Sequence, residues 1–232
     1  MPMPLLFDWT MIILIPAILV SMYAQFKIQS AYGHWSRVRS SSGVSGAMVA
    51  RELLRQAGIY DVEVEMIDGH LTDHYDPRSK KLRLSPEVYH GNSIAALGIA
   101  AHETGHAVQH DVGYYPLALR NSLVPVANLG SNLAFPLIIL GLLLGSPTLA
   151  IWGVYAFTAV VLFQLITLPV EFNASSRAVA LLEGSGFITR SEVQPTKAVL
   201  NAAALTYVAA ALTAVLNLVR LLILSGVLRR DE

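Results

Sequence analysis

Apolar residues run along the chain in long blocks. Three of them, Leu5 to Phe26, Leu123 to Leu144 and Thr148 to Val170, each supply the roughly 20 residues that a bilayer-crossing helix needs. A fourth, Ala202 to Leu228, carries Arg220 as its one charge. Between Asn121 and Val170 there is no Asp, Glu, Lys, Arg or His, and Gly145-Ser146-Pro147 breaks that stretch into a helical hairpin. Pro16, Pro125 and Pro136 sit inside spans, where neighbouring helices re-satisfy the freed carbonyls. Asn128, Ser131 and Asn132 read as interhelical hydrogen-bonding groups or as the lining of a cavity.

The pattern changes between Lys27 and Arg120. Gly43 to Gly58 predicts an amphipathic helix, capped by Ser42 or Ser45, with Val49, Leu53, Leu54 and Ala57 on one face. Val62 to Met66 alternates apolar and acidic residues, as a half-buried strand does. Asp68-Gly69 signals a tight turn, Leu71 to Tyr75 a second strand, Asp76 to Ser79 another turn and Lys81 to Ser85 a third strand, together a small β-meander. Ser85-Pro86-Glu87 starts a helix with proline at its first position. Ser93 to His110 predicts a core helix, too short and too titratable at its end to span a bilayer.

Composition agrees with the blocks. Hydrophobic residues make up 54% of the 232, charged residues 14%, and mean hydropathy is +0.52. Soluble domains carry roughly 25% charged residues, so a random coil, a nucleic-acid-binding module and a plain soluble globule are excluded. Sixteen Lys and Arg balance sixteen Asp and Glu, which suggests no polyanionic partner. Cysteine is absent, so any metal must be held by His, Asp or Glu. The opening MPMPLLFDW has no basic region and no small-residue cleavage site, so the first block reads as a retained anchor. Lys27, Arg37, Arg39, Arg51, Arg55, Arg78, Lys80, Lys81, Arg83 and Arg120 lie between the first two spans, which places that segment in the cytoplasm. Arg229 and Arg230 argue mildly the other way.

His102-Glu103-Thr104-Gly105-His106 carries the chemistry. Helical positions four apart share a face one turn apart. Two imidazoles so placed can each give one nitrogen to a Zn²⁺ at about 2.0–2.1 Å. Glu103 then stands beside the metal, able to take a proton from the zinc-activated water as it attacks a carbonyl and to pass it to the leaving amine. A catalytic zinc needs a third protein ligand. His110 lies about 12 Å along the helix axis from His102, too far to share the ion. A metzincin would have Gly at position 109 and His at 112, where this chain has Gln109 and Val112. Glu171 is the first charge after Arg120, and two crossings put it on the same membrane face as His102. Spacing alone leaves it as the third ligand or as an acid favoured at a helix N-terminus. Glu183 and Glu192 are further from the bilayer exit.

Several stretches carry a resemblance: Ser42-Gly43-x-Ser45-Gly46, Leu71-Thr72-Asp73-His74-Tyr75-Asp76-Pro77, Ala101-His102-Glu103-x-Gly105-His106-Ala107-x-Gln109, and Pro169-Val170-Glu171-Phe172-Asn173-Ala174-Ser175. On these the chain resembles the neutral zinc metallopeptidases of bacterial membranes, the YugP-like family. More distantly it is similar to membrane gluzincins such as the CaaX prenyl endopeptidases and the heat-shock-type membrane proteases. That likeness implies Glu171 as the third ligand, with Ala174 matching the alanine of their Glu-x-x-Ala-Asp segment and Ser175 standing where their aspartate would be. Arg177 would support the site by holding a carboxylate, or would face lipid headgroups. Asp73 and His74 would orient a substrate bound as an added strand, or close a turn, as Asp76-Pro77 does.

The expectation is therefore a mainly α, multi-pass membrane protein of about four transmembrane helices with a small α+β zincin-like catalytic domain. Residues 1–27 form an anchor, 28–122 the catalytic domain, 123–170 a transmembrane hairpin, 171–201 the third-ligand segment and 202–232 the last span and tail. The activity expected is zinc endopeptidase, one Zn²⁺ per chain, acting on peptides or membrane proteins at the plasma membrane, with the lipid bilayer as a partner and no nucleic acid. The rival is a zinc-stabilised scaffold or chaperone-like protein with little hydrolysis, which has no use for Glu103. A transporter is a weaker third reading, since only Asp8 and Arg220 approach the spans.

Overall fold

The computed structural model describes residues 9–226. A 3₁₀ turn, Trp9–Leu14, leads into α1 (Ile15–Trp35). There follow α2 (Gly46–Gln56), β1 (Glu63–Met66), β2 (His74–Asp76), β3 (Lys81–Leu84), α3 (Pro86–Tyr89) and α4 (Ile94–Asp111). Three long helices complete the described residues: α5 (Tyr115–Leu143), α6 (Pro147–Gly184) and α7 (Arg190–Leu224). Among the described residues four helical segments are long and apolar enough to cross a membrane: Trp9–Trp35, Tyr115–Leu143, Pro147–Gly184 and Arg190–Leu224. The outer ends of the first and last apolar blocks, at 5–8 and 227–228, lie outside the described residues.

The helices overrun their apolar blocks. α6 passes through Pro169 and ends only at Gly184, so Glu171 lies well inside a helix and not at its N-terminus. The macrodipole alternative for Glu171 falls with that. A proline costs one backbone donor, a loss that long apolar helices tolerate.

The chain divides into two compact units. One is drawn, among the described residues, from 9–24, 119–168 and 206–226. Its core holds Ala134, Ile138, Val154, Phe157, Ala214 and Leu221. Small residues let its helices approach: a Cβ on Gly153 of α6 would meet the Ala134 carbonyl of α5 at 2.7 Å. Asn128, Ser131 and Asn132 are exposed and their side chains make no hydrogen bond among the described residues, which corrects the expectation of interhelical bonds there.

The other unit comprises residues 25–118 and 169–205. In α2, Ser45 is the cap and accepts the Met48 N–H. Val49, Leu53 and Leu54 are buried as expected, while Ala57 falls on the exposed C-cap. α4 starts at Ser93, whose hydroxyl accepts the Ala96 N–H at 3.1 Å. It is apolar nearly all round because it is covered on both sides. Ala100 and Ala107 join Leu54, Val64, Leu82 and Leu84 in one core. Leu97 and Ala101 join Val49, Ala178, Leu182 and Leu200 in a second, formed with the end of α6 and the start of α7.

The sheet is not a meander. Its order is β1-β3-β2, with β1 parallel and β2 antiparallel to β3. The expected second strand shrinks to His74–Asp76, because Leu71 takes a left-handed backbone with φ of +54° that no strand admits. The chain after β1 therefore crosses over β3 instead of folding back as a hairpin. Asp73 fastens this crossover by accepting the Ser85 N–H at 2.8 Å and its hydroxyl at 3.0 Å. Ser85 thus spends its hydroxyl on Asp73 and does not cap α3 with it.

Candidate metal centre

α4 sets His102 and His106 one turn apart, with ring centroids 4.8 Å apart and planes at 86°. α6 brings Glu171 to them from 69 residues further along the chain. The helix backbones can come this close because residue 105 is glycine. A Cβ there would meet the Ala174 carbonyl at 2.7 Å. Glu171 Oε2 lies 3.2 Å from His102 Nε2 and 3.6 Å from His106 Nε2. The three donor atoms all fall within 4.8 Å of one another and could hold a metal ion. Ligands at about 2.0–2.1 Å around a tetrahedral ion stand ~3.3 Å apart, so the two Glu171 distances fit zinc. The set is one carboxylate and two imidazoles, the donors zinc takes in the absence of cysteine.

Burial concentrates the electrostatics. Glu171 is 2% exposed and His106 8%. Burial resists a charge on His106, but the Glu171 hydrogen bond and the Glu103 and Glu171 charges outweigh it, so its pKa lies above the ordinary value. An imidazole so biased toward a cation is one whose surroundings favour a positive ion in its place.

The nitrogens facing away from this cluster also have partners. His102 Nδ1 is 3.2 Å from the Ser175 hydroxyl. His106 Nδ1 is 3.0 Å from Gln109 Oε1. Gln109 Nε2 in turn donates to the Val170 carbonyl at 2.8 Å and to Asn173 Oδ1 at 3.0 Å.

The other singled-out residues divide. Glu103 is buried next to the cluster, and its carboxylate makes no hydrogen bond among the described residues. Asp73 is held by Ser85, and burial raises its pKa against those bonds, with the Glu103 charge adding to the rise. His74 bonds the Thr72 carbonyl through Nδ1 at 2.8 Å and faces Arg83 at 3.4 Å, so it is tied into the sheet. Arg177 Nε donates to Asn173 Oδ1 at 2.8 Å, an amide and not the carboxylate that one of its two expected roles required. His110 bonds the Tyr75 hydroxyl at 2.8 Å and is outside the cluster. Asp76 accepts the Arg78 N–H and the Ser79 hydroxyl and closes the β2–β3 turn. Glu192 clamps Ser41 and Thr189, away from the histidines.

Residues 10–226 match the family described as "Putative neutral zinc metallopeptidase". The chain belongs to that family. It is also 50% identical over 220 residues to the Bacillus subtilis (strain 168) protein named "Putative membrane protease YugP", covering 94% of this chain and 96% of the relative. No solved structure matches it. The family description names zinc, and the geometry above supplies a set of donors that suits that ion.

Sequence reasoning missed the part played by Gln109 and Asn173. Gln109 enters the sequence reading as the residue that excludes a metzincin and as one of the positions that carry the family resemblance, with no role of its own. Its signal was its place: a glutamine one turn after a histidine on an otherwise apolar helix, where a buried amide must find partners.

Proposed function

We propose that this chain is an integral-membrane zinc endopeptidase. His102, His106 and Glu171 hold one Zn²⁺ per chain, and Glu103 is the catalytic base. The observation that carries the reading is the spacing of the three donors beside Glu103, a largely buried residue whose carboxylate no described side chain or backbone group occupies. Zinc at this site supplies positive charge that polarises a peptide carbonyl and acidifies water. Glu103, one residue from His102, receives the proton of the attacking water and delivers it to the departing nitrogen, so one carboxylate serves as base and then acid. Residues 28–122 and 171–201 act together as a zincin-like catalytic part, with the remaining helices as its membrane anchor. The family description supports a zinc peptidase and the relative's name a membrane protease. Peptides or membrane proteins are the substrates, and the surplus of Lys and Arg between the first two spans places the active part on the cytoplasmic side of the plasma membrane.

Elemental analysis of the purified protein tests the metal reading. Wild type should carry about one zinc per chain, as a site of three protein ligands and one open position does. His102→Ala and His106→Ala should lose it, and Glu171→Gln should hold it weakly. Full zinc retention in both histidine variants would overturn the assignment.

A further inference from the structure

We infer that Gln109, Asn173 and Arg177 form a positioning relay that fixes which nitrogen of His106 faces the metal, an inference that rests on the zinc reading above. The polarity of every bond in the relay is forced. A guanidinium only donates, so the 2.8 Å bond from Arg177 Nε requires an oxygen on the facing side of Asn173. That same oxygen lies 3.0 Å from Gln109, which must therefore present its NH₂. The Val170 carbonyl, 2.8 Å from the same nitrogen, can only accept and demands the same orientation. Gln109 Oε1 is thereby turned to His106 Nδ1 at 3.0 Å, where it can only accept. So Nδ1 carries the hydrogen, and the lone pair is on Nε2, the nitrogen that faces Glu171. Gln109 is 0% exposed, so no solvent can take its place.

His102 has no such lock. Its partner is the Ser175 hydroxyl, which donates or accepts equally well. Gln109 does a second thing at once. Its two acceptors, Val170 and Asn173, flank Glu171 on α6, so one side chain of α4 orients an imidazole ligand and registers the backbone that carries the carboxylate ligand. Removing it loosens two of three metal contacts.

The test is zinc affinity of the full-length protein in detergent, by competition with a chelator, together with ¹⁵N-histidine NMR of the metal-free protein at alkaline pH. Gln109→Leu keeps the bulk and removes the acceptor, and its zinc dissociation constant should rise about 10- to 100-fold, the usual effect of removing a partner of a ligating histidine. Gln109→Glu keeps an acceptor for His106 Nδ1–H but loses the donor to Val170 and Asn173, so it should keep the Nδ1 tautomer while binding zinc more weakly than wild type. Arg177→Gln, which leaves Asn173 free to flip, should fall between wild type and Gln109→Leu. Wild-type His106 should be protonated on Nδ1. Equal zinc affinity in Gln109→Leu and wild type would overturn the relay, as would a Gln109→Glu variant whose His106 is protonated on Nε2. A wild-type His106 protonated on Nε2 overturns it even if the leucine variant fails to fold. Wild type that takes up no zinc at all overturns the metal reading itself, and is thereby told apart from a failure of the relay alone.

Discussion

A buried imidazole is a good metal ligand only when its second nitrogen is satisfied, because an unpaired buried N–H costs about 1–3 kcal/mol. His102 meets that need with a hydroxyl at 3.2 Å, longer than the 3.0 Å of the amide on His106. Ser175→Ala should accordingly weaken zinc binding by about tenfold, the low end of what such partners contribute, while leaving the thermal stability of the metal-free protein near wild type. Isothermal titration with zinc against a chelator reads the first quantity and a melting curve the second. At this scale the sequence was legible where chemistry is local. The two histidines and Glu103 follow from spacing on one helix. Glu171 needed the likeness to a family, since 69 residues separate it from His102. Gln109 and Asn173 went unread because an amide has no spacing rule. Its role is set by the atoms that happen to surround it, here a carbonyl and a guanidinium from another helix.

The element that makes the site is the α4–α6 contact, and its narrowest point is Gly105. Gly105→Ala places a methyl group 2.7 Å from the Ala174 carbonyl, a clash with backbone that no rotamer relieves. Overpacking of this sort costs about 1–3 kcal/mol, and separating the helices also moves Glu171 from the histidines. The expected outcome is a lowered melting temperature together with reduced zinc content. A variant as stable and as zinc-loaded as wild type would show that the helices are not held at this glycine. Helix existence was well signalled by hydrophobic blocks and by Ser45 and Ser93 as caps. Helix ends were not, because the turns of α5, α6 and α7 beyond the apolar blocks are packed or solvated by partners that a hydropathy window does not see. The sheet order was also hidden. Asp68-Gly69 signals a turn whichever way the chain leaves it, and only the left-handed Leu71 and the Asp73–Ser85 bonds reveal a crossover.

At the scale of the whole molecule the proposal makes a topological demand. Two span-length helical segments, Tyr115–Leu143 and Pro147–Gly184, separate the β1–β2 loop from the α6–α7 loop. Reporters inserted at 67–70 and at 185–188 should therefore face the same side of the membrane, and the proposal expects that side to be the cytoplasm. Opposite sidedness would separate Glu171 from the histidines. Both reporters outside would change the orientation and leave the site intact. The central claim, that the cluster hydrolyses peptide bonds and does not merely stabilise the fold, rests on Glu103. Glu103→Gln keeps the size of the side chain and removes its ability to take a proton, while His102, His106 and Glu171 are untouched. The decisive measurement is the rate at which this variant digests a casein or membrane-protein substrate, with zinc content determined on the same sample. The account predicts wild-type zinc and a rate reduced by about 10²- to 10⁴-fold, the loss of a general base. A variant that carries zinc and digests the substrate as fast as wild type would contradict it.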